Sequence, residues 1–122
     1  SPIISVYPDE ENIIDKIIHR IISLISNLLN RIGIGYSRGG CQIVKSKYFN
    51  IINGYNESYI AGEDVDLFRK LRKFGKTTLS TNMTVYESPR RYRKSGYLSV
   101  LFSWFMNWLY TLLFKKSFSN RW

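Results

Sequence analysis

Two carboxylates beside a glycine are the residues of this sequence best suited to chemistry. Gly62 precedes Glu63 and Asp64, and an apolar helical pattern begins directly after them. The free backbone N–H groups and the dipole at a helix start favour an ionised carboxylate. A carboxylate held in this way can act as a general base, or it can serve only as a helix cap.

A basic cluster forms the second candidate site. Ser88 and Pro89 precede Arg90, Arg91 and Tyr92. The planar guanidinium group of arginine can donate two parallel hydrogen bonds to a diphosphate. The alternative is that these cations only flank a membrane helix and bind no ligand.

Two adjacent glycines, Gly39 and Gly40, are the third feature. Their lack of a side chain would let the backbone approach a donor or an acceptor closely. They could equally serve a turn that follows Gly35.

Short strands and helices must position these residues. The β-branched and alternating patterns predict strands at residues 3–7, 41–44, 77–79 and 83–86. The helical patterns predict helices at residues 13–32, 46–52, 63–74 and 95–114. Asp9 is the expected cap of the first helix, Gly33 its end, and Asn53-Gly54 a turn.

The first of these helices is strongly amphipathic. Ile and Leu recur at helical spacing over residues 13–32, and the polar residues fall largely on the other side. We expect the apolar side to pack on a sheet or on a partner. The alternative is a helix that lies on a membrane surface.

The last helix is apolar on nearly every side. Residues 95–114 carry no charge, and basic residues flank them at both ends. Four polar residues spaced four apart form one narrow stripe: Ser99, Ser103, Asn107 and Thr111. A helix of this size is about 30 Å long, close to the thickness of a bilayer core. We expect it to lie in or span a membrane, the alternative being packing on the domain or on a second copy.

The charge distribution indicates an anionic partner. The net charge is +9, and residues 62–122 hold twelve of the basic side chains against four acidic ones. Nucleic acid is not the expected partner, because the aromatic residues cluster within the apolar helix instead of alternating with cations. The single cysteine, Cys41, excludes an intramolecular disulfide and a cysteine-based metal site.

The order of several short motifs resembles the second half of family-2 glycosyltransferases, which have the GT-A fold. The matching pieces cover roughly residues 2–94 and are, in order, Gly39-Gly40, Lys45, Phe49, Asn53-Gly54-Tyr55-Asn56-Glu57, Glu63-Asp64-Val65-Asp66-Leu67 and Leu71-Arg72-Lys73-Phe74-Gly75-Lys76. Asn53 and Tyr55 depart mildly from the Gly and Phe of the family pattern.

The resemblance implies an α/β fold, the C-terminal part of a GT-A domain with a small mixed sheet flanked by helices. Residues 1–94 would be the acceptor-side part, and residues 95–122 an apolar, basic-flanked, membrane-associated helix and tail. The half that binds the nucleotide would precede Ser1. We therefore expect this chain to be inactive alone, and to need that half or form a homodimer.

The resemblance also implies an inverting transfer from a nucleotide-diphosphate sugar to a glycan or lipid-linked acceptor. Asp64 would be the base that deprotonates the acceptor hydroxyl, with Glu63 supporting it. Residues 88–91 are similar to an "S-x-R-R" variant found in nonprocessive relatives. Arg91, with Arg90, Tyr92 and Ser88 beside it, would then face the donor phosphates.

A metal motif is a competing interpretation of the same carboxylates. Asp64-Val65-Asp66 spells D-x-D, by which such enzymes hold Mg or Mn against the donor. That motif normally ends a strand further upstream, so we expect no metal ligand in this chain and a divalent cation only in the full enzyme.

The resemblance implies a location on the cytoplasmic face of a membrane. The competing function is a non-catalytic basic module for membrane binding or assembly, suggested by the basic second half and the two apolar helices.

Overall fold

The computed structural model describes residues 1–116 and 118, and these form a mixed α/β structure. The elements in chain order are β1 (Pro2–Val6), α1 (Ile13–Arg31), α2 (Ser46–Ile51), α3 (Glu63–Leu71), a 3₁₀ turn (Arg72–Phe74), β2 (Ser80–Glu87), α4 (Arg90–Ser95) and α5 (Tyr97–Phe114). Residues 117 and 119–122 of the expected tail lie outside the described residues.

The sheet contains β1 and β2 as two parallel neighbours, within the described part of the chain. Val6 pairs with Glu87, which places the end of β2 beside the end of β1. Pro2, Ile4 and Val6 are buried, as expected for a strand with one covered face. The prediction of a mixed sheet is therefore wrong for these residues, because both strands run in one direction.

Two predicted strands are not formed. Residues 41–44 and 77–79 have no ladder of hydrogen bonds, and β2 begins only at Ser80. Val44 instead packs its side chain against the apolar cluster of α3. A β-branched pattern favours an extended backbone, but a strand also needs a neighbour with which to pair.

Helix α1 begins at Ile13, as predicted, but its N-cap lies three residues after the predicted one. Asn12 is the N-cap: its side-chain oxygen accepts a hydrogen bond from Asp15 N at 2.8 Å, and Asp15 Oδ2 accepts one from Asn12 N at 2.9 Å. This reciprocal pair satisfies two of the otherwise unpaired donors at the helix start. Asp9 lies in a turn instead. The helix ends before Gly33, whose φ of 88° suits glycine.

The side of α1 that packs on the domain is the polar one, so the expected packing of its apolar side on a sheet is wrong, while packing on a partner stays a prediction. Its buried residues are Asp15, His19, Ile22, Ser26 and Asn30, while the Ile and Leu side chains on the opposite side are exposed. The polar groups are accommodated because they find partners: Nδ1 of His19 donates to the Ile4 carbonyl at 3.0 Å. Nδ2 of Asn30 likewise donates to the Tyr36 carbonyl at 2.8 Å.

An apolar cluster forms on α3. Leu67, Phe68 and Leu71 are buried against four partly buried side chains from residues 44–52: Val44, Tyr48, Phe49 and Ile52. The predicted turn at Asn53-Gly54 is present, with φ of 58° and 65°. This packing anchors the helix whose first turn carries the candidate carboxylates.

The C-terminal helical segment is divided at Gly96, where φ is 77°. The second piece, α5, is long and apolar enough to cross a membrane, by length and composition only. Asn107 and Thr111 of its polar stripe are buried. They pack closely on Gly62, where any side chain would collide with the Thr111 hydroxyl. The polar stripe therefore faces the domain.

Candidate functional site

A cavity of about 590 Å³ lies between the start of α3 and the helices α4 and α5. Its lining includes residues from several segments of the chain: Arg38, Gly39, Gly40, Glu63, Asp64, Glu87, Arg91, Ser99, Ser103 and Trp104. The cavity thus brings together two of the predicted carboxylates, both predicted glycines and one predicted arginine.

Asp64 is held at the N-terminal turn of α3. Its Oδ1 accepts a hydrogen bond from Val65 N at 2.8 Å. Burial raises the pKa of the Asp64 carboxyl to about 6, against the opposing effect of that N–H donor and with a further contribution from the charge of Glu63. A carboxyl group with this pKa is well suited to accept a proton near neutral pH.

Gly39 allows the close approach of the Asp64 carboxylate. A Cβ atom on Gly39 would lie 3.3 Å from Asp64 Oδ2, tighter than an ordinary contact. A Cβ on Gly40 would lie 2.9 Å from the Cδ1 atom of Ile4. Both glycines also lie in a turn, which is one of the two roles considered for them.

Glu63 lines the same cavity as Asp64. Its Oε2 atom is buried and has no hydrogen-bond partner among the described residues. Such an atom is costly to leave unpaired, so it is available to a ligand hydroxyl. The helix starts here because Gly62 adopts a left-handed conformation, with φ of 89°.

Asp66 points away from Asp64. Its side chain is buried and pairs with Arg69 at 2.9 Å and Lys70 at 2.7 Å. Residues two apart on a helix lie on opposite faces, so the D-x-D carboxylates do not converge on one ion. Within residues 1–116 and 118, no group of three or more His, Cys, Asp or Glu side chains is placed to hold a metal.

The basic cluster at residues 88–92 is divided by the structure. Arg91 lines the cavity, whereas Ser88, Arg90 and Tyr92 are not part of its described lining. The Ser88 hydroxyl accepts a hydrogen bond from Arg90 N at 3.4 Å, at the start of α4. Successive helical residues point about 100° apart, which explains why only one of the two arginines reaches the cavity.

Tyr92 is buried beneath the cavity and supports Arg38, a residue that the sequence analysis missed. The Tyr92 hydroxyl bonds to Glu87 and lies 3.1 Å from a terminal nitrogen of Arg38. That nitrogen also pairs with Glu87 at 2.7 Å, and the guanidinium group lies 5.3 Å from the centre of the Trp104 ring. Burial raises the pKa of the Tyr92 hydroxyl, so it remains protonated as a donor.

Arg38 precedes Gly39-Gly40 directly, and this proximity is the one sequence signal that could have identified it. The sequence gives a clearer indication of which side of α5 faces the site, namely its polar stripe. Ser99 and Ser103 belong to the predicted polar stripe, and both line the cavity together with Trp104 and Trp108. The stripe was therefore identified, but its role as a wall of the site was not.

The arrangement combines a carboxyl group able to accept a proton with guanidinium groups able to bind an anion. Asp64 and Glu63 supply the first function, and Arg91 and Arg38 the second. A scan against protein-family models finds no match, and searches of curated proteins and of solved structures also find none.

Proposed function

We propose that this chain is the acceptor-side part of an inverting family-2 glycosyltransferase with the GT-A fold. The donor is a nucleotide-diphosphate sugar, and the acceptor a glycan or lipid-linked hydroxyl. The observation that carries this proposal is the shared cavity of Asp64 and Arg91, which belong to different helices. The order of sequence motifs along residues 39–91 supports the same conclusion.

In the proposed reaction, Asp64 takes the proton from the acceptor hydroxyl. The acceptor oxygen forms a bond to the anomeric carbon as the bond from that carbon to the diphosphate oxygen breaks. Attack from the face opposite the leaving group inverts the anomeric configuration. The pKa of about 6 keeps most of the Asp64 carboxyl ionised at neutral pH, as a base requires.

The leaving diphosphate gains negative charge as the bond breaks. Arg91 donates hydrogen bonds to it, and Arg38, which lines the same cavity, adds positive potential. Arg38 is held rigidly by Glu87 and Tyr92, so little reorganisation is needed during the reaction. Glu63 accepts a hydrogen bond from the acceptor sugar through its unpaired Oε2 atom.

The family resemblance implies a divalent cation, Mg or Mn, in the full enzyme. The described residues do not fit such an ion, because Asp66 is tied to two cations and diverges from Asp64. The ligands of that ion are proposed to lie in the preceding, nucleotide-binding half.

The site is proposed to lie at the cytoplasmic face of a membrane. One helix, α5, is long and apolar enough to associate with a bilayer, and it also forms a wall of the cavity. We infer that a lipid-linked acceptor enters this cavity, which Asp64, Ser99 and Ser103 all line, from the membrane surface. This geometry favours a lipid-linked acceptor over a free glycan.

The test of the proposed base is Asp64→Asn in the full-length enzyme, with Asp66→Asn as the matched control. Asp64→Asn is expected to lower transfer at least about a hundredfold while donor binding is retained. Asp66→Asn removes an equally charged group that points away from the cavity, and transfer should fall far less. Near-normal turnover of Asp64→Asn would exclude Asp64 as the base.

The second candidate is a non-catalytic module for membrane binding or assembly. It is favoured by the exposed apolar side of α1 together with the absence of Asp and Glu from residues 88–122. Under that function, full-length protein floats with anionic liposomes and Asp64→Asn changes no activity. Sugar transfer that depends on Asp64 distinguishes the enzyme from this module.

A further inference from the structure

The outward face of α1 is an apolar surface of unusual extent. Eight aliphatic side chains, each at least half exposed, form what we term the apolar stripe: Ile13, Ile14, Ile17, Ile21, Leu24, Ile25, Leu28 and Ile32. At 100° per residue these positions fall within a sector of about 120°. A contiguous apolar surface of this kind marks an interaction site more often than a solvated face.

The domain does not cover this stripe. The side of α1 that contacts the rest of the chain is the opposite one, centred on His19 and Ile22. Its polar groups are tied to β1, since His19 Nδ1 donates to Ile4. Rotating the helix to bury the stripe would break these hydrogen bonds. The stripe is therefore left for a partner outside the described chain.

The charges beside the stripe favour an anionic partner. Arg20 and Arg31 are exposed along one edge of the stripe, and Lys16 continues that edge, paired with Glu11 at 3.5 Å. Within Ile13–Arg31, all of which the structure describes, the single acid is the buried Asp15. A second copy of α1 would bring like charges together, whereas anionic lipid headgroups would attract them.

The position of α1 beside α5 indicates the same partner. The Tyr97 hydroxyl donates to Asp15, and an Arg93 nitrogen lies 3.6 Å from that carboxylate. The N-terminal ends of α1 and α5 therefore lie side by side. The exposed side chains of α5 include Leu98 and Phe102, so both helices carry exposed apolar side chains.

We propose that α1 lies in the interface of an anionic phospholipid bilayer, with the apolar stripe in the acyl-chain boundary and Arg20 and Arg31 among the headgroups. This mode suits a helix with a wide apolar face and a basic edge. This membrane contact of α1 is additional to that of α5. It does not depend on the proposed sugar transfer.

The test places a fluorescent label on the stripe of the whole chain. Cys41 is the only cysteine, so a Cys41→Ser background allows one label to be attached at Leu24→Cys. The matched control is Lys47→Cys, an exposed position on α2. Vesicles contain equal amounts of phosphatidylcholine and phosphatidylglycerol, with or without bromine on the acyl chains as a contact quencher.

Brominated lipid is expected to quench the label at position 24 and to leave the label at position 47 unchanged. Arg20→Gln combined with Arg31→Gln should raise the lipid concentration needed for quenching about thirtyfold, because two headgroup attractions are lost. Circular dichroism of each variant checks that the helices are retained.

Two results would overturn the proposal. The first is an unquenched label at position 24 under conditions where a label at Phe102→Cys on α5 is quenched. The second is quenching of the label at position 24 by aqueous iodide, without vesicles, that becomes weaker as the protein concentration is raised. That second result would assign the stripe to a second copy of the chain.

Discussion

Gly39 lies against the carboxylate of Asp64, so close that a Cβ atom at position 39 would be 3.3 Å from Asp64 Oδ2. The loop before residue 40 and the first turn of α3 thus meet at the candidate base. The approach leaves the carboxyl group buried on one side and open to the cavity on the other. Burial of this kind raises its pKa.

Enlarging Gly39 should therefore impair the site more than the fold. Gly39→Val in the full-length enzyme is expected to lower the transfer rate about tenfold or more, since a displaced base loses alignment with the acceptor. Gly75→Ala is the control, because nothing lies within 4 Å of its added Cβ. Initial rates at saturating donor measure the effect, and equal rates for both variants would contradict it.

The rate of transfer should depend on one ionisation near pH 6. Asp64 must be unprotonated to act, so activity is expected to rise as the pH increases through about 6 and then level off. Glu63→Gln removes a negative charge that raises the Asp64 pKa, so the rise should move to lower pH. A pH–rate profile of kcat/KM measures both, and a shift of that limb to higher pH would be inconsistent with this electrostatic arrangement.

The raised pKa of Asp64 also has a consequence for stability. The folded state holds the Asp64 proton more tightly than the unfolded state, so the native fold loses stability as the pH rises from about 4 to 6. The Asp64→Asn variant carries no such charge. Above pH 6 its free energy of unfolding should therefore exceed that of the unmodified protein, by up to about 3 kcal/mol.

Denaturant unfolding at pH 4 and at pH 8 measures this difference. The gain in free energy of unfolding of Asp64→Asn over the unmodified protein should be small at pH 4 and larger at pH 8. Asp66→Asn is expected to show the opposite sign at pH 8, because its carboxylate is paired with Arg69 and Lys70. A pH-independent effect of Asp64→Asn would show that burial of its charge is not the cause.

Removal of Arg38 should destabilise the domain strongly. Arg38→Met leaves the Glu87 carboxylate without its 2.7 Å partner and is expected to cost about 3–5 kcal/mol. Tyr92→Phe removes only a hydroxyl from the same network and should cost about 1–2 kcal/mol. Equilibrium unfolding ranks the two variants, and equal losses would mean that the ion pair adds little.

Several local features could be predicted because short-range chemistry decides them. The extent of α1 follows from its unbroken helical pattern and from Gly33, and the start of α3 follows from Gly62 and the carboxylates after it. The cap of α1 was placed wrongly at Asp9, since Asn12 with Asp15 makes a better reciprocal pair. Such choices depend on neighbours a few residues apart.

The packing direction of the helices could not be predicted in this way. Amphipathic spacing shows that α1 has two faces, but contacts with Ile4 and Thr77 determine that the polar face is the covered one. The position of Arg38 in the site is determined by hydrogen bonds to Glu87 and Tyr92, which are distant from it in sequence. Hydrogen bonds between remote segments select one arrangement among several that the local pattern allows, and they are formed only when the chain folds.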